Sequence, residues 1–301
     1  MLPIFTILHP LVDACSVSVL VAGGMTWERI IAYNAMAFAL QLPFGVLMDE
    51  RPHLTRSVFF IGTGLTLAAA VLAALGLGGW GILASACVGN ALFHLTAGKQ
   101  VLDVHGGRGG PIGLFISTGA LGLMAGQVWA AKAAALCLWG FAAALAVGVV
   151  VAAVQAWEPP RRIHAPVQHD GGTVLQMVVL SSLFVLIAWR SWAGLFAGGR
   201  SADGGAILML AGAAVTCVGK VTGGYLAERL GRWKMTAVSV AGSATLAFFC
   251  EPSWMIAWLA LLFIAQLATG PVLSLVYEKA ARRGGMAFGL NCLGLFAGSC
   301  A

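Results

Sequence analysis

Charge is the property that this sequence has least of. Aspartate, glutamate, lysine and arginine make up 9% of the 301 residues, whereas 60% of the residues are apolar and the mean hydropathy is +0.92. A water-soluble fold of this length exposes far more charge, so the composition excludes a soluble globular protein. One bilayer crossing takes about 20 apolar residues, which leaves room for roughly eleven crossing helices. We predict an all-α polytopic membrane protein.

Catalytic and metal-binding motifs are lacking as well. The sequence has no nucleophile constellation, no phosphate-binding loop and no carboxylate pair at catalytic spacing. His164 and His169 are poorly spaced for a metal site. The seven cysteines fall in apolar runs without metal spacing, and disulfides are not expected; they are Cys15, Cys87, Cys137, Cys217, Cys250, Cys292 and Cys300. We therefore predict no enzyme activity, no cofactor and no metal.

Apolar runs bounded by charge, Gly or Pro predict the helices. They lie near 3–23, 27–48, 55–77, 80–102, 110–131, 133–156, 174–198, 204–227, 234–250 and 253–276, with a partial helix from 285. The first run lacks a basic region before it, so we interpret it as a retained span rather than a signal peptide. The predicted domains are a six-helix half (1–156), a linker (157–173) and a second half (174–301).

Lysine and arginine are distributed unequally between the two ends of the predicted bundle. One end holds Arg29, Lys132 and Arg200. The other holds Arg51, Arg56, Lys99, Arg108, Arg161, Arg162, Arg229, Arg232, Lys234, Lys279, Arg282 and Arg283. By the positive-inside rule, the amino terminus, the linker and the basic loops are cytoplasmic. The net charge of +6 then reflects membrane orientation, and no nucleic-acid partner is expected.

The two predicted halves resemble each other at a nearly constant offset. An offset of 175 residues pairs Arg283 with Arg108, Gly284 with Gly109, Gly285 with Gly110, Gly294 with Gly119 and Glu278 with Asp103. An offset of 179 pairs Gly224 with Gly45 and Glu228 with Asp49. This similarity predicts two six-helix halves related as repeats. We expect the chain to stop within the eleventh helix, as a truncated product rather than a natural eleven-helix form.

Two loops carry a family resemblance. The stretches "GVLMDERPHLTR" and "GGYLAERLGRWK" resemble the Gly-x-x-x-Asp-x-x-Gly-Arg-Arg/Lys signature of the major facilitator superfamily, although Glu228 replaces Asp and the first copy lacks the second Gly. Within that superfamily, "HPLVDA", "GNALFHLTAGKQ" and "GGRGGPIGLFISTGALGLMAG" look like the fosmidomycin-resistance subgroup. Exporters of the superfamily often have Gly-Pro where this chain has Gly126-Gln127.

The resemblance implies a secondary active transporter that works by alternating access. It implies proton-coupled export of a small anionic or amphipathic organic solute by a monomer in a bacterial inner membrane, with the amino terminus cytoplasmic. The expected partners are the solute, protons and the lipid bilayer. Proton-coupled uptake stays open as an alternative. A non-transporting sensor or a degenerate remnant is a further alternative, which the charges retained at mid-membrane disfavour.

Asp13 is the first candidate for proton coupling, because it lies mid-way along a predicted span with His9 one turn before it. A carboxylate at that depth costs about 2.5–3.5 kcal/mol on insertion scales and should face a partner or a cavity. The alternative is a structural ion pair or hydrogen bond. His94 is a second candidate, and a neutral histidine bonded to a carbonyl is its commoner role.

Arg190 is the main candidate for binding substrate. The repeat places it opposite the first helix, where it should pair with Asp13 in the absence of solute. The alternative is an arginine that extends to the interface beside Trp189 and Trp192. Asn34 and Gln127 are further polar candidates. Lys220 is expected to extend to the interface or to pair with a loop carboxylate rather than bind substrate.

The signature loops predict a cytoplasmic gate. We expect charge-assisted bonds of Asp49 with Arg56, and of Glu228 with Arg229 and Arg232, to hold the inner side shut. Solvated charges at helix ends are the alternative. The predicted gate residues are Gly45, Asp49, Arg56, Gly224, Glu228, Arg229, Gly231 and Arg232.

Overall fold

The computed structural model describes residues 1–157, 173–203, 205–249 and 255–300, with the side chains of 173, 175 and 192–203 excepted. Within these ranges every regular element is a helix. The helices are α1 (Leu2–Ala22), α2 (Trp27–Asn34), α3 (Gln41–Glu50), α4 (Thr55–Ala74), α5 (Trp80–Val104), α6 (Gly109–Ser117), α7 (Gly119–Val154), α8 (Thr173–Asp203), α9 (Gly205–Leu230), α10 (Arg232–Phe249), α11 (Met255–Gln266), α12 (Thr269–Lys279) and α13 (Gly284–Ser299).

The apolar sequence folds as helices because a bilayer offers no partner for backbone N–H and C=O groups, so each segment must satisfy its own. Seven stretches of the described chain are long and apolar enough to cross a membrane. They are Leu2–Ala22, Trp27–Glu50, Pro52–Ala74, Trp80–Val104, Gly109–Val154, Gly205–Leu230 and Met255–Lys279. The predicted count of about eleven crossings stays a prediction.

Several helices are interrupted where the sequence analysis predicted continuous spans. A π-helical turn (Ala35–Ala39) separates α2 from α3, and two residues, Leu267 and Ala268, separate α11 from α12. The stretch from α6 to α7 is 46 residues long, about two crossings. It changes direction at Ala133, whose φ of −153° and ψ of 68° are not helical. This break coincides with the boundary predicted between 110–131 and 133–156.

The centre of the bundle is formed around α1 and α5, the two spans with the largest buried share. Aromatic side chains fill this core, and the fully buried ones are Phe5, Phe59, Phe93, Phe115 and Phe288. Large apolar side chains on the outside stay exposed, as expected of a surface that faces lipid; Leu136, Val154, Ile207 and Phe248 are examples.

Two segments of the chain meet along several helix pairs. We call residues 1–157 the first segment and residues 173–300 the second segment. Between them, α13 packs on α3 and α5, α6 packs on α9 and α12, and α7 packs on α9. The loops after α3, α5, α9 and α12 lie at one end of the bundle, which we call the basic end, and Met1 lies there too, in one pocket with His105.

Some predicted features fall outside the described residues. The basic linker, with Pro159, Pro160, Arg161, Arg162, His164 and His169, is one of them. The side chains of Trp192 and Arg200, and residue Cys250, are others.

Candidate functional site

A buried cluster surrounds the carboxylate of Asp13 in the middle of the bundle. Its Oδ2 lies 3.3 Å from Nε2 of His9, one turn earlier on α1, and its Oδ1 lies 3.4 Å from Nε2 of His94 on α5. Asn90, one turn before His94, donates a hydrogen bond to Oδ1 at 2.9 Å. The structure therefore brings together the three residues predicted for proton coupling and adds Asn90 to them.

The other nitrogen of each imidazole faces a backbone carbonyl. Nδ1 of His9 lies 2.7 Å from the oxygen of Phe115, and Nδ1 of His94 lies 2.8 Å from the oxygen of Asn90. A carbonyl oxygen only accepts hydrogen bonds, so each Nδ1 must carry its hydrogen. In a neutral ring, Nε2 then presents a lone pair to the carboxylate of Asp13, which is repulsive.

This geometry is satisfied only if a proton lies in each of the two contacts between histidine and Asp13. The carboxyl group can supply one proton at most. At least one of His9 and His94 is then an imidazolium when both contacts are hydrogen bonds. When both contacts are hydrogen bonds, the cluster therefore holds added protons in a buried place, and the two carbonyls fix the orientations of its rings.

Close helix packing encloses the cluster. Gly119, the first residue of α7, lies against it, and a Cβ at that position would overlap Nε2 of His9 and the carboxylate of Asp13. His9 also stacks on the ring of Phe115 with centroids 4.8 Å apart. Only a glycine therefore allows α7 to begin at this point.

Arg190 lies inside the protein, 8% exposed, and not at the interface. Its guanidinium donates to the hydroxyl of Thr269 and, at 3.3 Å, to Oε1 of Gln266. The expected ion pair with Asp13 is therefore wrong for this structure, because each group has its own partners. Trp189, its neighbour in the sequence, is exposed.

The other polar residues considered for substrate binding are Asn34, Gln127 and Lys220. Asn34 precedes the π-helical turn, Gln127 lies in α7, and both are half-buried. Lys220 on α9 does not extend to a loop carboxylate as predicted. Its Nζ donates to the carbonyl of Ile116 at 3.2 Å, at the end of α6 in the other segment.

At the basic end, Asp49 joins the two segments. Its carboxylate accepts hydrogen bonds from the backbone N–H groups of Gly285 and Met286, at 2.9 and 2.8 Å, and so caps the amino end of α13. Lys99 bridges Asp49 and Asp103 at 2.8 and 2.6 Å. The side chains of Lys99 and Asp49 are each 8% exposed, so this is a buried ion pair.

Gly45 makes the same junction possible one turn earlier on α3. A Cβ on Gly45 would overlap the carbonyl of Gly285, and a Cβ on Gly285 would overlap that of Gly45. Gly224 and Gly109 form the corresponding reciprocal contact between α9 and α6. The 179-residue offset relates Gly45 to Gly224, and the 175-residue offset relates Gly285 to Gly110, the residue after Gly109.

Glu228 forms the second junction. Its Oε1 accepts from the N–H of Gly110 at 2.9 Å, in the first turn of α6, and its Oε2 pairs with Arg108. The hydrogen bond from Arg108 to Glu228 and the negative charge of Glu228 raise the pKa of Arg108 above its usual value. The side chains are 61% and 23% exposed, so this pair is far more solvated than that of Lys99 with Asp49.

Three of the predicted gate pairings need correction. Arg56 donates to the carbonyl of Ala153 at 3.1 Å, not to Asp49. Arg232 pairs with Glu278 at 2.7 Å, and the partner of Glu228 is Arg108. Arg229 is exposed beside Glu228, and Gly231 has a φ of +98° in the turn between α9 and α10.

The sequence analysis missed several residues of these sites. Lys99 was counted only as a loop cation, because its partner Asp49 is fifty positions away. The spacing of Lys99 and Asp103, one helical turn, was the available signal for that pair. Gln266 and Thr269 bind the guanidinium of Arg190, and no sequence motif marks either of them as a site residue.

The fold is shared with known transporters. The structure matches the crystal structure of a major facilitator superfamily transporter, FucP, in the outward conformation, with a TM-score of 0.64, 13% identity and coverage of 98% of this chain and 89% of that one. A variant of the same E. coli fucose:proton symporter gives the same values. A bacterial homologue of the iron transporter ferroportin, in the outward-facing state, matches with a TM-score of 0.50, 16% identity and coverage of 99% and 89%.

No protein-family model matches the sequence, and no curated protein matches it either. The structural similarity confirms the predicted fold class: the chain is an all-α, multi-pass membrane protein with the major facilitator fold. The resemblance to the fosmidomycin-resistance subgroup stays a prediction.

Proposed function

We propose that this protein is a secondary active transporter that exports a small organic solute in exchange for protons. The two segments act as the two halves of an alternating-access machine, with the linker between them. The fold supports this proposal, since proteins of this fold that match it are transporters. The observation that carries the proton coupling is the pair of contacts between Asp13 and two histidines whose Nδ1 atoms are committed to carbonyls.

The cluster around Asp13 gives a reason for coupling. Each proton in it lies between His9 or His94 and a carboxylate, on side chains from α1 and α5. Removing a proton leaves an imidazole lone pair against the carboxylate in a buried place, which costs free energy unless the packing around it changes. A change of packing that exposes the cluster to the other side of the membrane would relieve that cost.

The contacts at the basic end provide the gate. Asp49 and Glu228 cap the first turns of α13 and α6, each across the boundary between segments. We propose that this end is cytoplasmic, that it is closed in the present conformation, and that rocking of the segments breaks both caps. The amino terminus then lies in the cytoplasm of a bacterial cell, and the transporter acts as a monomer in the inner membrane.

Proton-coupled uptake is the second candidate function. The similarity to a fucose:proton symporter favours it, because that protein moves solute and proton in the same direction. The two candidates use the same cluster and gate, and they differ in whether proton and solute occupy the central site together or in turn.

Proteoliposomes with a pH-sensitive dye in the lumen test the proposal. Solutes of several classes, including phenylphosphonate, benzoate and L-fucose, are added outside. Entry of a transported solute raises the lumenal pH if protons leave in exchange and lowers it if they enter together. We expect a rise for the parent protein and for Glu50→Gln, an exposed carboxylate at the end of α3.

Asp13→Asn should abolish the pH change while exchange of labelled solute continues. Proton movement in Asp13→Asn equal to that of the parent would refute the assignment of the coupling site. A fall in the lumenal pH on solute entry would show that solute and protons move together, and proton-coupled uptake would then replace export as the proposed function.

A further inference from the structure

Arg190 is a buried cation, and both of its hydrogen-bond partners among the described residues are neutral. Its guanidinium is bonded to the Thr269 hydroxyl and to Oε1 of Gln266, and the Thr269 hydroxyl donates to the same Oε1 at 3.0 Å. These bonds hold the guanidinium in place without supplying negative charge. Buried charges in proteins are normally paired, because an unpaired charge in low dielectric costs several kcal/mol.

Lys220 is a second cation in the same region. It follows Gly219 on α9, where an added Cβ would press on the side chain of Gln266, the residue that accepts from Arg190. Within the described ranges its Nζ donates one hydrogen bond, to the carbonyl of Ile116 in the last turn of α6. The negative end of a short helix offsets only part of a full charge. An ammonium group has three donors, so two remain for another partner.

Asp13 does not compensate these two cations. Its oxygens are already occupied by Asn90, His9 and His94. Since the contacts with the histidines require added protons, that cluster contributes no net negative charge. Two positive charges on α8 and α9 therefore have no matching anion among the described side chains.

We propose that Arg190 and Lys220 form the binding site for the acidic group of an organic oxyanion, a carboxylate or a phosphonate, which is the transported solute. The planar guanidinium offers two parallel donors to two oxygens of such a group, and the ammonium offers a point charge beside it. Gln266 and Thr269 act as positioning residues that hold the guanidinium. Lys220 also links the site to α6 of the first segment, through Ile116.

This inference rests on the proposed transport function and names the chemical class of its solute. It predicts that the apo protein is destabilised by Arg190, so Arg190→Gln should melt at a higher temperature than the parent when no anion is present. A purely structural arginine would give the opposite result. This readout stays informative even if transport is never observed.

Binding is measured on the purified full chain by thermal shift and calorimetry. The probes are phenylphosphonate, benzoate, benzyl alcohol and benzylamine, which share a ring and differ in charge. We expect one or both anions to bind, and neither the alcohol nor the amine. Arg190→Gln and Lys220→Gln should each weaken anion binding by about tenfold or more. Lys132→Gln, an exposed cation on α7, is the matched control and should bind as the parent does.

Each result decides between specific alternatives. Equal stabilisation by chloride and by phenylphosphonate would overturn the proposal in favour of unspecific screening. Binding of the alcohol as tight as that of the anions, or unchanged anion binding in Arg190→Gln, would overturn it too. If a neutral solute is transported and no anion binds, this inference fails while the transport function stands. If the anions bind and nothing is transported, the anion site stands and the proposed transport function fails.

Discussion

Asp13 is held from three directions, by His9 on its own helix and by Asn90 and His94 on α5. This arrangement explains why a charge at that depth is tolerated, since every oxygen has a polar partner. The same arrangement makes the cluster sensitive to small displacements. A change of a few tenths of an ångström in either histidine would break a contact that is already 3.3–3.4 Å long.

Gly119→Ala tests that sensitivity without removing a polar group. The added methyl would overlap His9 and Asp13, and such overpacking costs about 1–3 kcal/mol. We expect a lower melting temperature and at least a tenfold loss of proton-linked transport in the liposome assay.

Gly140→Ala, on the same helix, is the control for this change. Beyond the neighbouring backbone of its own helix, no atom of the described residues lies within 4 Å of a Cβ at that position, and alanine favours a helix over glycine by up to about 1 kcal/mol. The stability of this variant should be unchanged or higher. Equal effects of the two substitutions would mean that α7 tolerates no methyl group anywhere, and that the Gly119 contact is not special.

Residue-level reasoning from the sequence found part of this site. The spacing of His9 and Asp13 places them on one face of a helix, so their contact was predictable. The contribution of His94 depends on how α5 packs on α1, and no sequence pattern reports that. The repeat predicted that Arg190 lies opposite Asp13 and pairs with it. In the structure the guanidinium of Arg190 instead donates to Gln266 and Thr269.

At the scale of the elements, the two junctions at the basic end are similar in design and unequal in strength. Both place a carboxylate on the first turn of a helix in the opposite segment. Asp49 does so beside a buried lysine, whereas Glu228 does so beside an exposed arginine. Removing one partner of a buried pair costs about 3–5 kcal/mol, and an exposed pair contributes about 0–1 kcal/mol.

Asp49→Asn should therefore open the basic end more than Glu228→Gln does. Cys292 on α13 is buried and reports the opening by its rate of reaction with N-ethylmaleimide, while the exposed Cys300 serves as the internal standard. We expect Asp49→Asn to speed the labelling of Cys292 by tenfold or more, and Glu228→Gln by at most about fivefold. If Glu228→Gln has the larger effect, burial does not decide the strength of the gate.

The breaks in the helices were the least predictable feature of the elements. Hydrophobic runs predict a crossing but not the point at which it bends, since the residues on both sides are equally apolar. The interval between α11 and α12 lies within one predicted helix, and the π-helical turn lies within another. These breaks depend on packing between helices, and π-helical turns are frequent at functional sites.

At the scale of the whole molecule, the all-α membrane fold predicted from the sequence is confirmed, whereas the division into two six-helix halves stays a prediction. The repeat offsets related Gly45 to Gly224 and Gly110 to Gly285, and the structure places these glycines at the corresponding junctions between segments. The pairing of charges across the junctions could not be predicted in the same way. Arg56 is close to Asp49 in the sequence, but its guanidinium donates to the carbonyl of Ala153 on α7 instead.

We propose that the two segments rock against each other and that the caps at the basic end hold one state closed. Spin labels at His53→Cys in the first segment and Arg282→Cys in the second report the distance across this end, because both positions are exposed. The other cysteines are replaced by alanine, and the distance distribution is measured by double electron–electron resonance in lipid nanodiscs.

The account predicts a main short distance and a minor longer one, with the longer population rising in Asp49→Asn. Glu50→Gln changes the neighbouring carboxylate, which has no partner across the junction in the part of the chain that the structure describes, and should leave the distribution as it is in the parent. A single distance that is the same in the parent, in Asp49→Asn and at all pH values from about 5 to about 9, a range that spans the usual titration of histidine, would contradict alternating access.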